Sequence, residues 1–484
     1  MFKTIGGMSQ TFVAVDREQG FLLPPDVREW LPEGHLAWLI LDAVGEMDLS
    51  AFYAAYRRDG WGRPAYDPAM VVALLLYSYA RGERSSRGIE RRCGEDVAYR
   101  VISANRVPDH STLARFRRGH EDALAGLFGE VLVLCAKAGL VSVGLIAVDG
   151  TKVHANASDR ANLAYEQIAR EILAEAEEVD RAEDERFGER RGDELPPEFR
   201  VSGDRRKRLQ EARRLLDAER AVRRSEVPQA RRERLVQAER RLREDHELER
   251  QVNADYERWR ARGISADGRR FGGRDPGPHP MPETPTGIAN VTDPQSRKVK
   301  TPRGYMQGYN AQAVTTREQI VIAADVNVDS SDAGHLKPMI SGACDELRAA
   351  GITQQPDVVV ADAGYWKKKD IEHVVNQGIQ TLVCPEALKR STPRSGRDRG
   401  LYAFMRRVLE SDAGHALYRQ RQAMIEPVFA HIKHNRHADH FQRRGRSACR
   451  SEWRLITATP QPAQALAPPD HDRRLTAHNA AIGR

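Results

Sequence analysis

The sequence is short of cysteine and of long apolar runs. Its five cysteines show neither paired spacing nor a CxxC, which argues against a disulfide framework and against a cysteine zinc site. The longest apolar stretch, near residues 70–79, is too short to cross a bilayer, and the first ten residues lack the apolar core of a signal peptide. We therefore expect a soluble protein of a reducing cytosol, with no membrane partner.

The charge balance is only mildly basic. Lys and Arg number 76 against 69 acidic residues, for a formal net charge of +7, and this excess favours an anionic partner without identifying it. With 484 residues, 40% of them hydrophobic, the chain has room for two to four domains and at least one proper core.

The amino-terminal part is predicted to be helical. After a tail at 1–20, residues 21–139 carry apolar residues at helical spacing in several stretches. Within this domain the segment 108–118, PDHSTLARFRR, predicts a short helix capped by Asp109 or Ser111, with three arginines on its exposed side. It fits a DNA contact of the helix-turn-helix kind or an ordinary capped helix with a solvated face, and the sequence leaves both open.

A charged helical insertion interrupts the chain after residues 140–158, which contain the first strand of the core. We predict that this strand ends at Asp149, and a second strand-end acid, Asp362, suggests an acidic cluster at one edge of a sheet. Residues 159–270 are dominated by Arg, Glu, Asp, Ala and Leu, and leucines recur at heptad spacing in the pairs Leu209 with Leu216 and Leu235 with Leu242. A helical hairpin or coiled coil is predicted, its faces either solvated or bound to nucleic acid. The Gly- and Pro-rich residues 271–285 predict a linker that ends the insertion.

Sheet patterns return over residues 286–456. Together with the strand that delivers Asp149, the order is strand, insertion, two strands, helix, strand, helix, strand, which predicts a mixed α/β sheet. The predicted elements after the insertion are a hairpin of strands 308–315 and 319–327, a helix at 336–350, the strand ending at Asp362, a helix at 368–377 and a strand at 379–384.

A last amphipathic helix covers residues 418–434. Its polar side includes Glu426 and Lys433, and Pro427 predicts either a kink or a fresh start of the helix. Asp149, Asp362 and Glu426 are a minimal oxygen ligand set for two hard cations, Mg²⁺ or Mn²⁺, which suits phosphodiester cleavage and transfer. Turn or cap roles for the two aspartates are the alternative.

Several stretches in order resemble bacterial insertion-sequence transposases of the DDE type. They are residues 62–90, 108–117, 147–158 (AVDGTKVHANAS), 304–314 (GYMQGYNAQAV), 359–366 (VVADAGYW) and 425–436 (IEPVFAHIKHNR). The resemblance implies an α/β fold with an RNase H-like mixed-sheet catalytic core, an all-α amino-terminal domain, and the charged insertion between the first and second core strands. It implies that Asp149, Asp362 and Glu426 are the catalytic residues and hold two Mg²⁺.

The same resemblance implies DNA strand cleavage by water and joining of the 3′ hydroxyl to a target, with no covalent enzyme intermediate. The partners would be double-stranded element ends and target, bound by a homodimer or larger assembly in the bacterial cytoplasm, associated with the nucleoid. The Tyr-Arg-Glu-Lys signature is matched with an Arg-to-Glu gap one residue longer than in its best-known form. The implied DNA-binding residues are His110, Ser111, Thr112, Arg115, Arg117, Arg118, Tyr418, Arg421, Lys433, Arg443 and Arg444. Tyr365 and Trp366 would stack on an unpaired base or pack beneath the active-site loop.

The carboxyl-terminal residues 457–484 depart from the family and predict a Pro- and Ala-rich disordered tail. Three alternatives therefore stay open: a nuclease that cleaves without joining, a catalytically inactive DNA-binding derivative, and a helical interaction protein organised by the insertion.

Overall fold

The computed structural model describes residues 2–3, 12–13, 29–56, 65–187, 229–264, 270, 277–302, 304–385 and 400–459. It divides into two compact units, residues 1–123 with 459–484 and residues 124–458. The predicted leucine pair Leu209 and Leu216 and the tail from residue 460 onward lie outside the described residues.

The first unit is helical, as predicted. Its central helix begins at Pro68 behind Asp67, whose side chain accepts a hydrogen bond from the backbone N–H of Ala69. That helix is buried from Val71 to its end, so the longest apolar run of the sequence is a core helix. No helix within the described ranges is long and apolar enough to cross a membrane. The elements are β1 (Phe2–Lys3), β2 (Phe12–Val13), α1 (Leu36–Glu46), α2 (Ser50–Tyr53), α3 (Pro68–Ala80), α4 (Ser86–Glu95), α5 (Val97–Ile102) and α6 (His110–Gly119).

Helix α6 forms where the sequence predicts it, but its arginines differ from the prediction. Asp109 is the cap, accepting hydrogen bonds from the backbone N–H and the hydroxyl of Thr112. Arg115 and Arg118 are exposed, whereas Arg117 is buried and donates to the carbonyl of Arg84 at 2.7 Å. The prediction of three arginines on an exposed face is wrong for Arg117, because its position faces the interior of the helical unit.

The second unit is built on a six-stranded mixed sheet. Its strands are β3 (Leu145–His154), β6 (Arg297–Thr301), β7 (Gly304–Thr316), β8 (Val321–Asn327), β9 (Val358–Ala361) and β10 (Gln380–Val383). The order is β10-β9-β3-β7-β6, with β8 also paired to β7. Strand β9 is parallel to both β10 and β3, while β7 is antiparallel to β3, β6 and β8. The predicted mixed sheet and its hairpin are confirmed, and β6 is an addition to the predicted order.

Strand β3 reaches further than predicted. Asp149 was expected at a strand end, but β3 continues to His154 because β7 pairs with it over its whole length from Ile146 onward. Only the parallel ladder with β9 stops just before Asp149, at the pair Val148 and Ala361.

Helices pack against this sheet. They are α10 (Leu336–Ala349), α11 (Lys368–Asn376), α13 (Asp412–Ala430) and α14 (Arg446–Ala458). The first three correspond to predicted helices, whereas α14 was not predicted. Helix α7 (Glu121–Lys137) precedes β3, and α12 (Gly400–Glu410) packs against α13. Helix α13 runs through Pro427 and widens into a π-helical turn at His431–Asn435, so it neither ends nor restarts at the proline. On α14 the fully buried Trp453 donates its indole N–H to the backbone carbonyl of Gln312.

The insertion is helical and has a core of its own. Helices α8 (Tyr165–Phe187) and α9 (Gln229–Arg262) lie beside a small antiparallel ribbon of β4 (Asn162–Ala164) and β5 (Ile288–Asn290). The predicted leucine pair Leu235 and Leu242 is buried there. The core consists of Ile168, Leu235, Ala238, Leu242, Ala289 and Val291. The ribbon closes the insertion at its root and returns the chain to the sheet.

The buried Arg117 yields a first prediction, on stability. Replacing Arg117 with Ala removes its hydrogen bonds to Tyr79, Arg84 and Ser86 and should lower the free energy of unfolding by about 2–4 kcal/mol. Arg118→Ala, at the adjacent exposed position, should change it by less than about 0.5 kcal/mol. Urea titration of the whole chain measures both values. Equal stability of the two variants would contradict the burial of Arg117.

Candidate active site

Two aspartates meet at the point where the parallel ladder of β3 and β9 ends. The register pairs Val148 with Ala361, so Asp149 and Asp362 follow one step later on adjacent strands. Although 213 positions apart in the chain, their carboxylates share one corner of the sheet. As predicted from the sequence, Asp149 and Asp362 both follow the last residue pair of a ladder between neighbouring strands. The difference is that β3 itself continues beyond this ladder to His154.

Both carboxylates are held where ionisation is disfavoured. Burial, reinforced by the negative charge of Asp362, raises the pKa of Asp149 to about 6, although Arg421 acts in the opposite direction. Burial and then the charge of Asp332 raise the pKa of Asp362. A pair of acids that repel each other in a largely desolvated corner is the electrostatic setting that favours a bound cation.

Arg421 brings a positive charge into this corner of the sheet. Its Nη1 lies 2.7 Å from Oδ2 of Asp149, and its guanidinium carbon lies 5.9 Å from the ring centre of Tyr418. Both Arg421 and Tyr418 are buried on the face of α13 toward the sheet. Arg421 therefore acts on Asp149 by its charge, and Tyr418 packs against the Arg421 guanidinium.

Glu426 is joined to this corner only indirectly. Its Oε1 lies 3.8 Å from Nη2 of Arg421, and 55% of its side chain is exposed. Among the residues that the structure describes, no three His, Cys, Asp or Glu side chains are grouped closely enough to hold one metal ion. The structure thus brings together Asp149 and Asp362, and links Glu426 to Asp149 through the Arg421 guanidinium.

A further carboxylate, Asp332, lies beside the pair and was missed by the sequence reasoning. It follows β8, and its Oδ1 accepts hydrogen bonds from Lys152 at 3.3 Å, Asn310 at 2.7 Å and Gln312 at 2.8 Å. The available signal was the polar pair Asn310 and Gln312 inside an otherwise buried strand, because buried amides require partners.

Three residues that the sequence places near DNA make contacts within the protein. Tyr365 is fully buried and its hydroxyl donates to the side-chain carbonyl of Gln312, so it packs beneath the active-site turn and is not placed to stack on a base. Trp366 packs edge-on against Tyr402 at 5.6 Å. The Nζ of Lys433 donates to the backbone carbonyl of Lys152 at 2.7 Å, and burial lowers the pKa of that ammonium.

The basic turn after the π-helical segment is anchored by its backbone. The N–H of Arg443 donates to Glu452, and Nε of Arg444 donates to the carbonyl of Asn156 at 3.0 Å. Arg444 is exposed and Arg443 half-buried. The turn lies beside the end of the strand that follows Asp149, and the role of Arg443 and Arg444 in binding DNA stays a prediction.

In the helical unit, the expected DNA-binding residues at the start of α6 are occupied by capping contacts. His110 Nδ1 lies 2.8 Å from a carboxylate oxygen of Glu90, and the hydroxyls of Ser111 and Thr112 donate to Asp109. These hydrogen bonds hold the pKa of Asp109 well below its usual range. Of the six residues at 110–118 named for this role, the exposed arginines Arg115 and Arg118 carry charge toward solvent.

Comparison with known proteins agrees with this geometry. A family model described as Transposase domain (DUF772) matches residues 25–119, and one described as Transposase DDE domain matches residues 259–459. The second match runs from the end of α9 to the end of α14, including Asp362 and Glu426 but not Asp149. Neither a search of curated proteins nor one of solved structures returned a match. The fold class implied by a DDE domain is RNase H-like, in agreement with the mixed sheet. With a transposase domain at its amino-terminal end and a DDE domain on its sheet, the chain belongs to the DDE-type transposases of insertion sequences.

Proposed function

We propose that this transposase binds the terminal inverted repeats of an insertion sequence and catalyses metal-dependent DNA cleavage and strand transfer. The observation that carries the proposal is the register of β3 and β9, which sets Asp149 beside Asp362 in a buried corner. Glu426 is the third catalytic carboxylate of the proposal, on the helix that also delivers Arg421. The three carboxylates are assigned to hold metal ions, so water is the proposed attacking group and no covalent enzyme intermediate is part of the proposal.

The donor set fits Mg²⁺ or Mn²⁺. Asp149 and Asp362 offer hard oxygen ligands, and burial together with neighbouring carboxylates raises the pKa of each, an unfavourable setting for negative charge that a divalent cation would offset. We assign Asp149, Asp362 and Glu426 as the residues that would hold two ions. Bound there, such ions supply activation of the attacking hydroxyl and neutralise charge on the phosphate.

The chain's own cations divide into those that organise the site and those that face solvent. Arg421 neutralises Asp149 and contacts Glu426, so it holds both carboxylates in the corner before DNA arrives. Lys433 ties the π-helical turn to the backbone of β3. We propose that both position the catalytic elements, and that Arg421 is also within reach of a DNA phosphate brought to Asp149.

DNA contact is proposed for the exposed basic residues. Arg115 and Arg118 on α6 and Arg444 beside Asn156 would bind backbone phosphates, with Arg443 adding charge to the same turn. Buried Arg117 is left out of this set. Two element ends and a target must be held at once, which favours a homodimer or larger assembly on double-stranded DNA in a bacterial cytoplasm, at the nucleoid.

A strand-transfer assay with Mg²⁺ and DNA carrying the element's terminal repeats tests the proposal. Asp362→Asn removes a proposed metal ligand and should lower cleavage and joining by more than about 100-fold. Changes to residues that only hydrogen-bond a metal ligand cost up to about 100-fold, so loss of a ligand should cost more. The matched control is Asp357→Asn, at the exposed opposite end of β9, which should cleave like the wild type. Cleavage without joined product would favour a nuclease, and binding without cleavage an inactive derivative.

Metal binding can be measured without catalysis. Mg²⁺ at about 100 times its dissociation constant should raise the free energy of unfolding by about 2.7 kcal/mol, because the ion binds the folded corner and not the unfolded chain. Asp149→Asn removes a ligand and should abolish that gain, while Asp357→Asn should keep it. Thermal unfolding with and without Mg²⁺ measures the shift, and an undiminished shift in Asp149→Asn would overturn the assignment.

A further inference from the structure

Four polar side chains form a cluster on β3, β7 and the loop after β8. This cluster, called the Asp332 cluster, consists of Lys152, Asn310, Gln312 and Asp332. A single carboxylate oxygen, Oδ1 of Asp332, accepts hydrogen bonds from the other three. Asn310 and Gln312 are fully buried, and about one fifth of the Lys152 and Asp332 side chains is exposed. An oxygen that serves three donors is a fixed hub, because moving it would leave buried N–H groups without partners.

Gly150 makes room for this hub directly next to Asp149. A Cβ at Gly150 would lie 2.4 Å from the side-chain nitrogen of Gln312 and 2.6 Å from Oδ1 of Asp332. The register places Gly150 opposite Gln312 and Lys152 opposite Asn310. Since successive strand residues point to opposite faces, Gly150 and Lys152 share the face that Asp149 does not. The cluster therefore supports β3 from behind the catalytic aspartate.

The cluster also reaches the turn that carries Asp362. The side-chain carbonyl of Gln312 accepts the hydroxyl hydrogen bond of buried Tyr365, in the 3₁₀ turn Ala363–Tyr365. In the same turn, a Cβ at Gly364 would lie 3.2 Å from Oδ2 of Asp332 and 3.0 Å from Oδ1 of Asp362. The chain of contacts Asp332, Gln312 and Tyr365 thus fixes the turn from the β7 side.

The third catalytic element is tied to the same place. The backbone carbonyl of Lys152 accepts the ammonium of Lys433, in the π-helical turn that continues α13 beyond Glu426. Lys152 contributes its side chain to Asp332 and its backbone to Lys433. One polar cluster consequently touches the strand of Asp149, the turn of Asp362 and the continuation of the helix of Glu426.

We propose that Asp332 is a positioning residue for the reaction. It sets the spacing of Asp149 and Asp362 by holding the polar side chains of β3 and β7 in one arrangement. The proposal rests on the proposed function for its catalytic consequence, while its structural content, an ordered turn at 362–366, stands apart from catalysis.

The test compares Asp332→Ala and Asp332→Asn in the full chain, in cleavage of terminal-repeat DNA at varied Mg²⁺. Asp332→Ala should lower kcat by about 10–100-fold and raise the Mg²⁺ concentration needed for half-maximal rate, with KM for DNA within about twofold of wild type. Asp332→Asn keeps an acceptor oxygen at the hub and should recover most of kcat. Gly150→Ala, which pushes on the same hub from β3, should reproduce the Asp332→Ala behaviour. The matched control is Asp329→Ala, at a mostly exposed acid three positions earlier, which should leave kcat unchanged.

Hydrogen exchange of the metal-free protein gives a readout that needs no activity. In Asp332→Ala the backbone amides of residues 362–366 should exchange at least about tenfold faster, while those of β10 keep their wild-type rates. If the wild type does not cleave, the proposed function fails and this exchange measurement alone decides the role of Asp332. Wild-type kcat together with unchanged exchange in Asp332→Ala would overturn the proposal. So would a loss of protection spread evenly over the sheet, since that would show a general structural role.

Discussion

Two like charges forced side by side are the constraint around which the catalytic unit is arranged. The parallel pairing of β3 and β9 leaves Asp149 and Asp362 no freedom to separate, and burial denies them the solvent that would screen their repulsion. Two kinds of contact offset this repulsion. Arg421 brings a guanidinium to Asp149 from α13, and backbone N–H groups of Gly150 and Gly364 donate to the two carboxylates. What remains is an anionic corner suited to divalent cations.

Support for that corner comes from the side of the sheet that carries no catalytic carboxylate. Because Gly150 has no side chain, the carboxylate of Asp332 and the amide of Gln312 can occupy the space next to it. A network of this kind specifies one arrangement because a shift of any member would leave a buried donor unpaired. The two adjacent residues consequently have different roles. Asp149 provides a proposed catalytic carboxylate, and Gly150 leaves room for the Asp332 cluster that supports the strand.

The described part of the insertion does not disturb the sheet, because it buries its apolar side chains in a core of its own. Helices α8 and α9 bury Ile168, Leu235 and Leu242 against the ribbon of β4 and β5, and the ribbon brings entry and exit of the insertion together. The outer faces of α9 carry ion pairs one turn apart, such as Arg240 with Glu244. A self-contained element anchored by a short ribbon can separate β3 from β7 in sequence without separating them in space.

Local patterns in the sequence predicted helices α10, α11 and α13, the chain order of strands β7 to β10, and the positions of the two aspartates. Alternation and helical spacing of apolar residues act over a few neighbours, so β9, α10 and α13 could be predicted, and the buried leucines of α9 with them. Tertiary structure alone decided which polar residues share a site. Asp332 joins Lys152 across 180 positions, Arg421 reaches Asp149 across 272, and Arg117 turns inward although its neighbour Arg118 does not. The physical reason is that a side chain's partner depends on which elements pack together, and no spacing within one element records that.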